Sequence, residues 1–266
     1  MKLRLLDWIV CPRCGEGLHL ADARGMVAHP SQEASSPIQC RQCYVAQSRP
    51  HQEAGITEYD CSTCYDIEVM SGRLLCRHSH EFSIVRGVPK LSPGAAPRQP
   101  LAEKEADGTD QSDQRAIATS FSQEWAHFDY TDRTWSLELQ ARCALALREL
   151  DCRPEALNGK LLLDAGCGNG ALSRAFNRFG CEVVGIDISD SVDKAFAHFA
   201  ATGNARTHFI HGDLLCHPLR TGVFDVVYSS GVLHHNRDTR QAFFSIASAL
   251  KPGGRMYVWV YHKRPG

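Results

Sequence analysis

No apolar run in this 266-residue chain approaches the roughly 18 residues needed to span a membrane. The opening stretch, Met1-Lys-Leu-Arg-Leu-Leu-Asp-Trp-Ile-Val10, is too short and too interrupted by charge to read as a secretory signal. Blocks of like charge and basic stripes are also missing. Residues 1–92 hold ten Lys and Arg against ten Asp and Glu, and residues 114–266 hold seventeen against fifteen. Phosphate backbones are gripped by clustered Lys and Arg, so nucleic acid is possible but not favoured as a partner. No tandem repeat occurs beyond a cysteine knuckle. These absences lead to the expectation of a cytoplasmic protein that works away from membranes.

Cysteine is abundant at one end. Seven of the twelve cysteines precede residue 77, and six of them form the pairs Cys11/Cys14, Cys40/Cys43 and Cys61/Cys64. Cys76 follows, with His80 four positions on. Two thiolates at a tight Cys-x-x-Cys turn can face one metal ion, and a second such pair completes a tetrahedron. Eight ligands in four knuckles suffice for two zinc ions per chain. Disulfides are the alternative, but this spacing without a secretion signal favours metal in a reducing compartment. The pairing stays open. A sequential reading joins Cys11/Cys14 to Cys40/Cys43 and Cys61/Cys64 to Cys76/His80. A nested reading joins the outermost pairs and, separately, the inner pairs. Loop closure favours the sequential reading mildly. The expected role of the zinc is to fold a module whose apolar core is too small to fold alone.

Three regions follow from composition. Residues 1–92 are short apolar pieces between knuckles. Residues 93–113 are rich in Pro, Ala and acid and read as linker. From 114 to 266 helical and strand patterns alternate. Lys160–Ala165, Glu182–Ile188, Thr207–His211, Phe224–Ser229 and Arg255–Tyr261 are predicted strands. Leu172, Ala175 and Phe176, then Val192, Ala195, Phe196 and Phe199, mark helix faces between them. Asp238 is placed to cap a helix with Ala242, Ile246 and Ala249 inward, and Pro252-Gly-Gly is placed to end it. The series implies a doubly wound, mostly parallel α/β sheet preceded by a small zinc-ribbon domain.

Such a sheet binds ligands beyond the carboxyl ends of its strands. Gly166-Cys-Gly-Asn-Gly170 lies there, after the first strand. Asp187 ends the second strand, where an acid can accept both hydroxyls of a ribose. Asp213 follows the third, where an acid can receive an adenine amino group. Two features decide against a dinucleotide. The third glycine comes after one intervening residue instead of two, and Asp164 stands two residues before the first. A pyrophosphate would be repelled by that acid, whereas a sulfonium and an α-ammonium would tolerate or favour it.

These residues resemble the class I S-adenosylmethionine-dependent methyltransferases. The match runs from Leu-Asp164-Ala-Gly166-Cys-Gly168-Asn-Gly170 through Gly185-Ile-Asp187-Ile-Ser189 and His-Gly-Asp213-Leu. It continues in Phe224-Asp-Val-Val-Tyr-Ser-Ser-Gly231-Val-Leu-His-His235 and closes on Leu250-Lys-Pro-Gly-Gly254. The resemblance implies S-adenosyl-L-methionine as cofactor. It places Gly166, Gly168 and Gly170 under the methionine moiety with Asp164 near it, and Asp187 on the ribose. Asp213 and Leu214 flank the adenine, and Ser230 lies near the methionine tail. His234 and His235 stand at the pocket mouth, where a neutral imidazole can act as general base. Their alternative role is to cap a helix start or line the pocket. An aromatic segment, Phe121 to Phe128, is expected to lie over cofactor and substrate or to pack on the sheet.

The ends of the cysteine-rich region, Leu6 to Cys14 and Leu75 to Leu91, resemble the two ends of zinc-ribbon partner proteins of methyltransferases. That resemblance supports nesting. The stretch Cys61 to His80 instead resembles the ribbon heading bacterial ribosomal-RNA guanine methyltransferases. The leading expectation is methyl transfer to a small-molecule acceptor. An RNA base methyltransferase and a noncatalytic cofactor-binding scaffold are the rivals. Sheets of the resembled family have seven strands, and this chain stops just after its fifth. The expectation is therefore a fragment of a longer protein, or self-association through the fifth-strand edge.

Overall fold

The computed structural model describes residues 1–28, 67–92, 116–124, 133–134, 137–201 and 206–261. Cys40, Cys43, Cys61, Cys64, Trp125, Phe128 and the 93–113 linker lie outside the described residues.

A four-stranded antiparallel sheet forms first, in the order β1 (Leu18–Ala28), β2 (Ile67–Cys76), β3 (Glu81–Val85), β4 (Val88–Pro89). A helix over 116–124 (α1) and a small hairpin, β5 (Arg133–Thr134) with β6 (Leu137–Glu138), follow. The second sheet has the order β11-β10-β7-β8-β9, and every neighbouring pair is parallel. Its strands are β7 (Leu161–Ala165), β8 (Glu182–Asp187), β9 (Thr207–His211), β10 (Phe224–Ser230) and β11 (Leu250–Trp259). Among the helices, α2 spans Leu139–Glu149, α3 Ala171–Asn177, α4 Ser191–Ala201 and α5 Thr239–Ser248.

The Leu161–Ala165 run is buried at all five positions because both faces of β7 are covered. Leu162, Val183 and Val226 pack toward α2 and α3. Leu161, Leu163, Ala165 and Ile186 point to the opposite face, into a cluster with Ala242 and Ile246 of α5. That same cluster contains Leu3, Leu5, Leu6, Ile9, Leu74, Phe82 and Leu91. Residues 1–18 and 69–91 thus share a continuous core with the parallel sheet. Arg4 crosses this contact as a buried charge. Its Nε lies 3.0 and 3.2 Å from the two carboxylate oxygens of Glu182, and His208 Nε2 lies 3.0 Å from Glu182 Oε1. Removing one partner of such a pair strands the other in an apolar site.

The last strand starts earlier than its sequence pattern indicates. Phe224 pairs with Leu250, but Val226 already pairs with Arg255, so Pro252-Gly-Gly254 is absorbed as an irregularity in the ladder. Asp238 accepts from Gln241 N at 2.8 Å, as expected of an N-cap. Among the described residues, no strand lies outside β11, and Trp259, Val260 and Tyr261 are exposed there. No described helix is long and apolar enough to cross a membrane, which says nothing of a β-barrel.

Candidate cofactor cavity and metal-ligand cluster

The chain turns from β7 into α3 through Gly166-Cys-Gly-Asn-Gly170. Gly166 N and Cys167 N both donate to Ile186 O, at 2.8 and 3.1 Å, which clamps the turn against the end of β8. Asp187 pins it further. Its Oδ2 accepts from Gly168 N at 2.9 Å, and its Oδ1 accepts from Ser189 N at 2.8 Å and Ser189 Oγ at 2.7 Å. A cavity of about 470 Å³ opens at this point, within the range that holds a small ligand.

Asp164, Gly166, Gly168 and Asp187 line one side of the cavity; Leu214, Ser230 and His235 line others. Two expected cofactor residues do not line it. Gly170 faces away, at φ +73°, and a Cβ there would lie 2.8 Å from the Phe209 ring and 2.9 Å from Ala195. Its role is to let α4 and β9 close up behind the turn. Asp213 lies beside Leu214, but its Oδ1 accepts from Leu215 N at 2.8 Å, as the cap of a short 3-10 turn. The two histidines also part. His235 lines the cavity with its ring 4.9 Å from that of Phe121. His234 lies outside the lining, its ring 4.1 Å from Tyr261, with a buried Nε2 that has no hydrogen-bond partner. Burial lowers the pKa of both, so each imidazole is held neutral near pH 7.

Sequence reasoning missed a polar cluster in the cavity lining. Arg142 NH1 lies 3.1 Å from Glu149 Oε2, and Tyr257 donates to Glu149 Oε1 at 2.9 Å. Tyr228 donates to Glu149 and accepts from Arg142. Arg142, Glu149 and Tyr228 line the cavity. Glu149 is lowered despite burial, because bonds from Tyr228 and Arg142 favour its charged form. Only the seven-residue spacing of Arg142 and Glu149 on α2, two helical turns, marks them in sequence.

Asp164 has the opposite balance. Burial pushes its pKa up to about 6, against a 2.6 Å bond from Ser173 Oγ and the nearby Arg142 charge. Its raised folded value means that folding favours the protonated form. The ionised form costs stability above about pH 6, and this cost vanishes below the ordinary value of 3.8. A cationic ligand beside Asp164 selects the ionised form. Affinity for a cationic ligand such as a sulfonium should therefore fall a few-fold between pH 7.5 and 5.5, with proton release on binding at the lower pH. Calorimetry in buffers of different ionisation enthalpy checks this. A slope that persists in Asp164→Asn would assign the effect to another group.

A second cluster lies in the antiparallel sheet. Cys11, Cys14, Cys76 and His80 bring four ligand atoms within 4.8 Å of one another. The turn after Cys11 closes by Gly15 N donating to Cys11 O at 2.8 Å, and that after Cys76 by Ser79 N donating to Cys76 O at 3.0 Å. Leu18 pairs with Cys76 in the β1–β2 ladder, which sets the two turns side by side. Cys14 Sγ is 3.7 Å from Cys76 Sγ, and His80 Nδ1 is 3.3 and 3.4 Å from the sulfurs of Cys11 and Cys76. A tetrahedral zinc with ordinary bond lengths would have S···S and S···N edges of about 3.8 and 3.6 Å. The donor set fits such an ion. Burial pushes the Cys11 thiol up to about 12, so a thiolate there calls for a cation beside it. The outermost pairs are the ones that meet, as in the nested reading.

Comparison with known proteins bears on the parallel sheet. Residues 163–258 match the family described as "Methyltransferase domain". This segment is similar in sequence to that family, and the match spans about a third of the chain. Over 114 residues the chain is 38% identical to the mitochondrial ubiquinone biosynthesis O-methyltransferase of Schizosaccharomyces pombe, covering 42% of this chain and 40% of that protein. It is 31% identical over 142 residues to the malonyl-[acyl-carrier protein] O-methyltransferase of Enterobacter lignolyticus, covering 53% and 52%. The phosphoethanolamine N-methyltransferase 2 of Haemonchus contortus, solved with S-adenosyl-L-methionine, aligns at 25% identity over 61% of this chain and 37% of that one, with a TM-score of 0.43. The chain spans about half the length of the relatives it matches. The methyltransferase-domain match begins at Leu163, so Phe121, Arg142, Glu149 and the metal-ligand cluster lie outside it.

Proposed function

We propose that the protein is an S-adenosylmethionine-dependent methyltransferase acting on a small-molecule acceptor. The observation that carries this reading is the cavity at the ends of β7, β8 and β10, with Asp187 fixed by three hydrogen bonds and Asp164 buried across from it. When bound, the cofactor supplies a methyl group already activated on a sulfonium. The chain's residues then have to bind, orient and exclude water. Asp187 accepts from ribose hydroxyls, and Asp164 with Ser230 faces the charged methionine end. Phe121 from α1 and Trp259 from β11 also line the cavity, and in this reading they face the acceptor. His235, neutral and facing the cavity, accepts a proton from an acceptor that must lose one. An unaltered kcat in His235→Gln would remove it from that role.

In this reading Cys11, Cys14, Cys76 and His80 hold one zinc ion that cross-links the first module. Cys40, Cys43, Cys61 and Cys64 hold a second. The ions supply folding free energy, and no step of methyl transfer is assigned to them. Relatives named as ubiquinone biosynthesis O-methyltransferases support a small acceptor. Incubating pools of metabolites and of RNA separately with methyl-labelled donor tests the function. Label entering the metabolite pool is expected; label entering RNA alone would overturn the acceptor class. Calorimetry with S-adenosylhomocysteine tests the cofactor.

A further inference from the structure

Residues 87–92 leave the first module and wrap the β9 edge of the parallel sheet. Lys90 forms a parallel bridge with His211, and Leu91 N donates to His211 O at 2.8 Å. Ser92 Oγ lies 3.3 Å from His211 Nδ1. Lys90 Nζ then reaches Asp193 Oδ1 at 2.6 Å, in the first turn of α4. The pair is largely shielded, with side-chain exposures of 14% and 31%. Val88 is fully buried in a cluster with Cys167, Val192, Phe196 and Phe209. Cys167 belongs to the glycine turn and lines the cavity. Gly87 adopts φ +83°, and a Cβ there would stand 2.2 Å from the Phe196 ring, so the approach of this turn to α4 requires glycine.

These contacts meet the loop between Asp187 and α4 from behind. Asp187 anchors the start of that loop through Gly168 and Ser189. Its far end is anchored by α4, whose first turn rests on Lys90 and Val88. We propose that Lys90 is a positioning residue for cofactor binding: through Asp193, and together with the Leu91–His211 bond, it holds residues 187–193 where Asp187 faces the cavity. The proposal rests on reading the cavity as the S-adenosylmethionine site. It makes the first module part of the cofactor site although none of that module's described residues lines the cavity. Lys90 and Asp193 are far apart in sequence and neither stands in a cofactor motif.

The test measures S-adenosylhomocysteine affinity by calorimetry on the full chain, with thermal denaturation of the same samples. Lys90→Met and Asp193→Asn should each raise Kd about three- to tenfold, and the double variant no more than the worse single one. Lys90→Arg should restore affinity to within about twofold, because it keeps the charge. A merely structural ion pair would lower Tm and leave Kd alone. Unchanged Kd in both single variants overturns the proposal, whatever Tm does. Failure of the unaltered protein to bind S-adenosylhomocysteine overturns the reading of the cavity itself, and this proposal with it.

Discussion

Cys76→Ser is expected to remove one zinc ion per chain and to unfold much of the first module. Elemental analysis should return two zinc ions for the unaltered protein and one for the variant. Cys76 is buried at the end of β2, and its sulfur contacts both Cys14 and His80. A serine there is a weak zinc ligand and leaves a hydroxyl in an apolar site. Structural zinc contributes on the order of 10 kcal/mol to the folding of small modules, more than the net stability of most domains. The effect should spread, because Leu74, Phe82 and Leu91 share a cluster with Leu163 and Ile186 of the parallel sheet. Thermal denaturation should show a large fall in Tm together with loss of near-ultraviolet signal from Trp8, which packs against His208. Equal zinc content in variant and parent would refute the assignment of Cys76, and one zinc in the parent would sink the two-site reading.

Asp187→Ala is expected to weaken S-adenosylhomocysteine binding by about 10- to 150-fold. A carboxylate accepting from ribose hydroxyls is worth about 1.5–3 kcal/mol, and each 1.4 kcal/mol is tenfold in affinity. The same carboxylate holds Gly168 N and Ser189 N. Its loss therefore frees the glycine turn as well as the ligand contact. Asp187→Asn separates the two effects, because an amide oxygen can still accept one of these bonds. Calorimetry that returns the parent Kd for Asp187→Ala would refute the ribose assignment.

Much of the parallel sheet was legible because its strands are continuous apolar runs and its helices have regular inner faces. Val192, Ala195, Phe196 and Phe199 are all buried in one cluster, as their spacing predicts. The start of β11 was not legible. Pro and Gly usually end an element, but here the ladder tolerates them by slipping between Phe224 and Val226. Metal pairing was not legible because every knuckle has nearly the same spacing. The register of β1 against β2, a contact between segments far apart in sequence, brings Cys11 and Cys14 beside Cys76 and His80. The Arg142, Glu149 and Tyr228 cluster hid for the same reason, since helix and strand meet only in the folded chain. Gly170 and Asp213 stand at motif positions but do not line the cavity; Gly170 meets Phe209 and Ala195, and Asp213 caps a turn. Motif spacing locates a turn; it does not say which of its residues faces the ligand.

Ala28 and Ile67 are partners at the open end of the β1–β2 ladder. The chain leaves the module and returns to it at adjacent points, about 5 Å apart, the spacing of paired strands. The two strands form a two-legged stem whose opposite end carries Cys11, Cys14, Cys76 and His80 close together. The entropy of closing a loop grows only logarithmically with its length. The stem is in effect a socket. A two-residue turn or a different small domain could be grafted there while the outer ligand set, the shared core and the grip on α4 stay as they are.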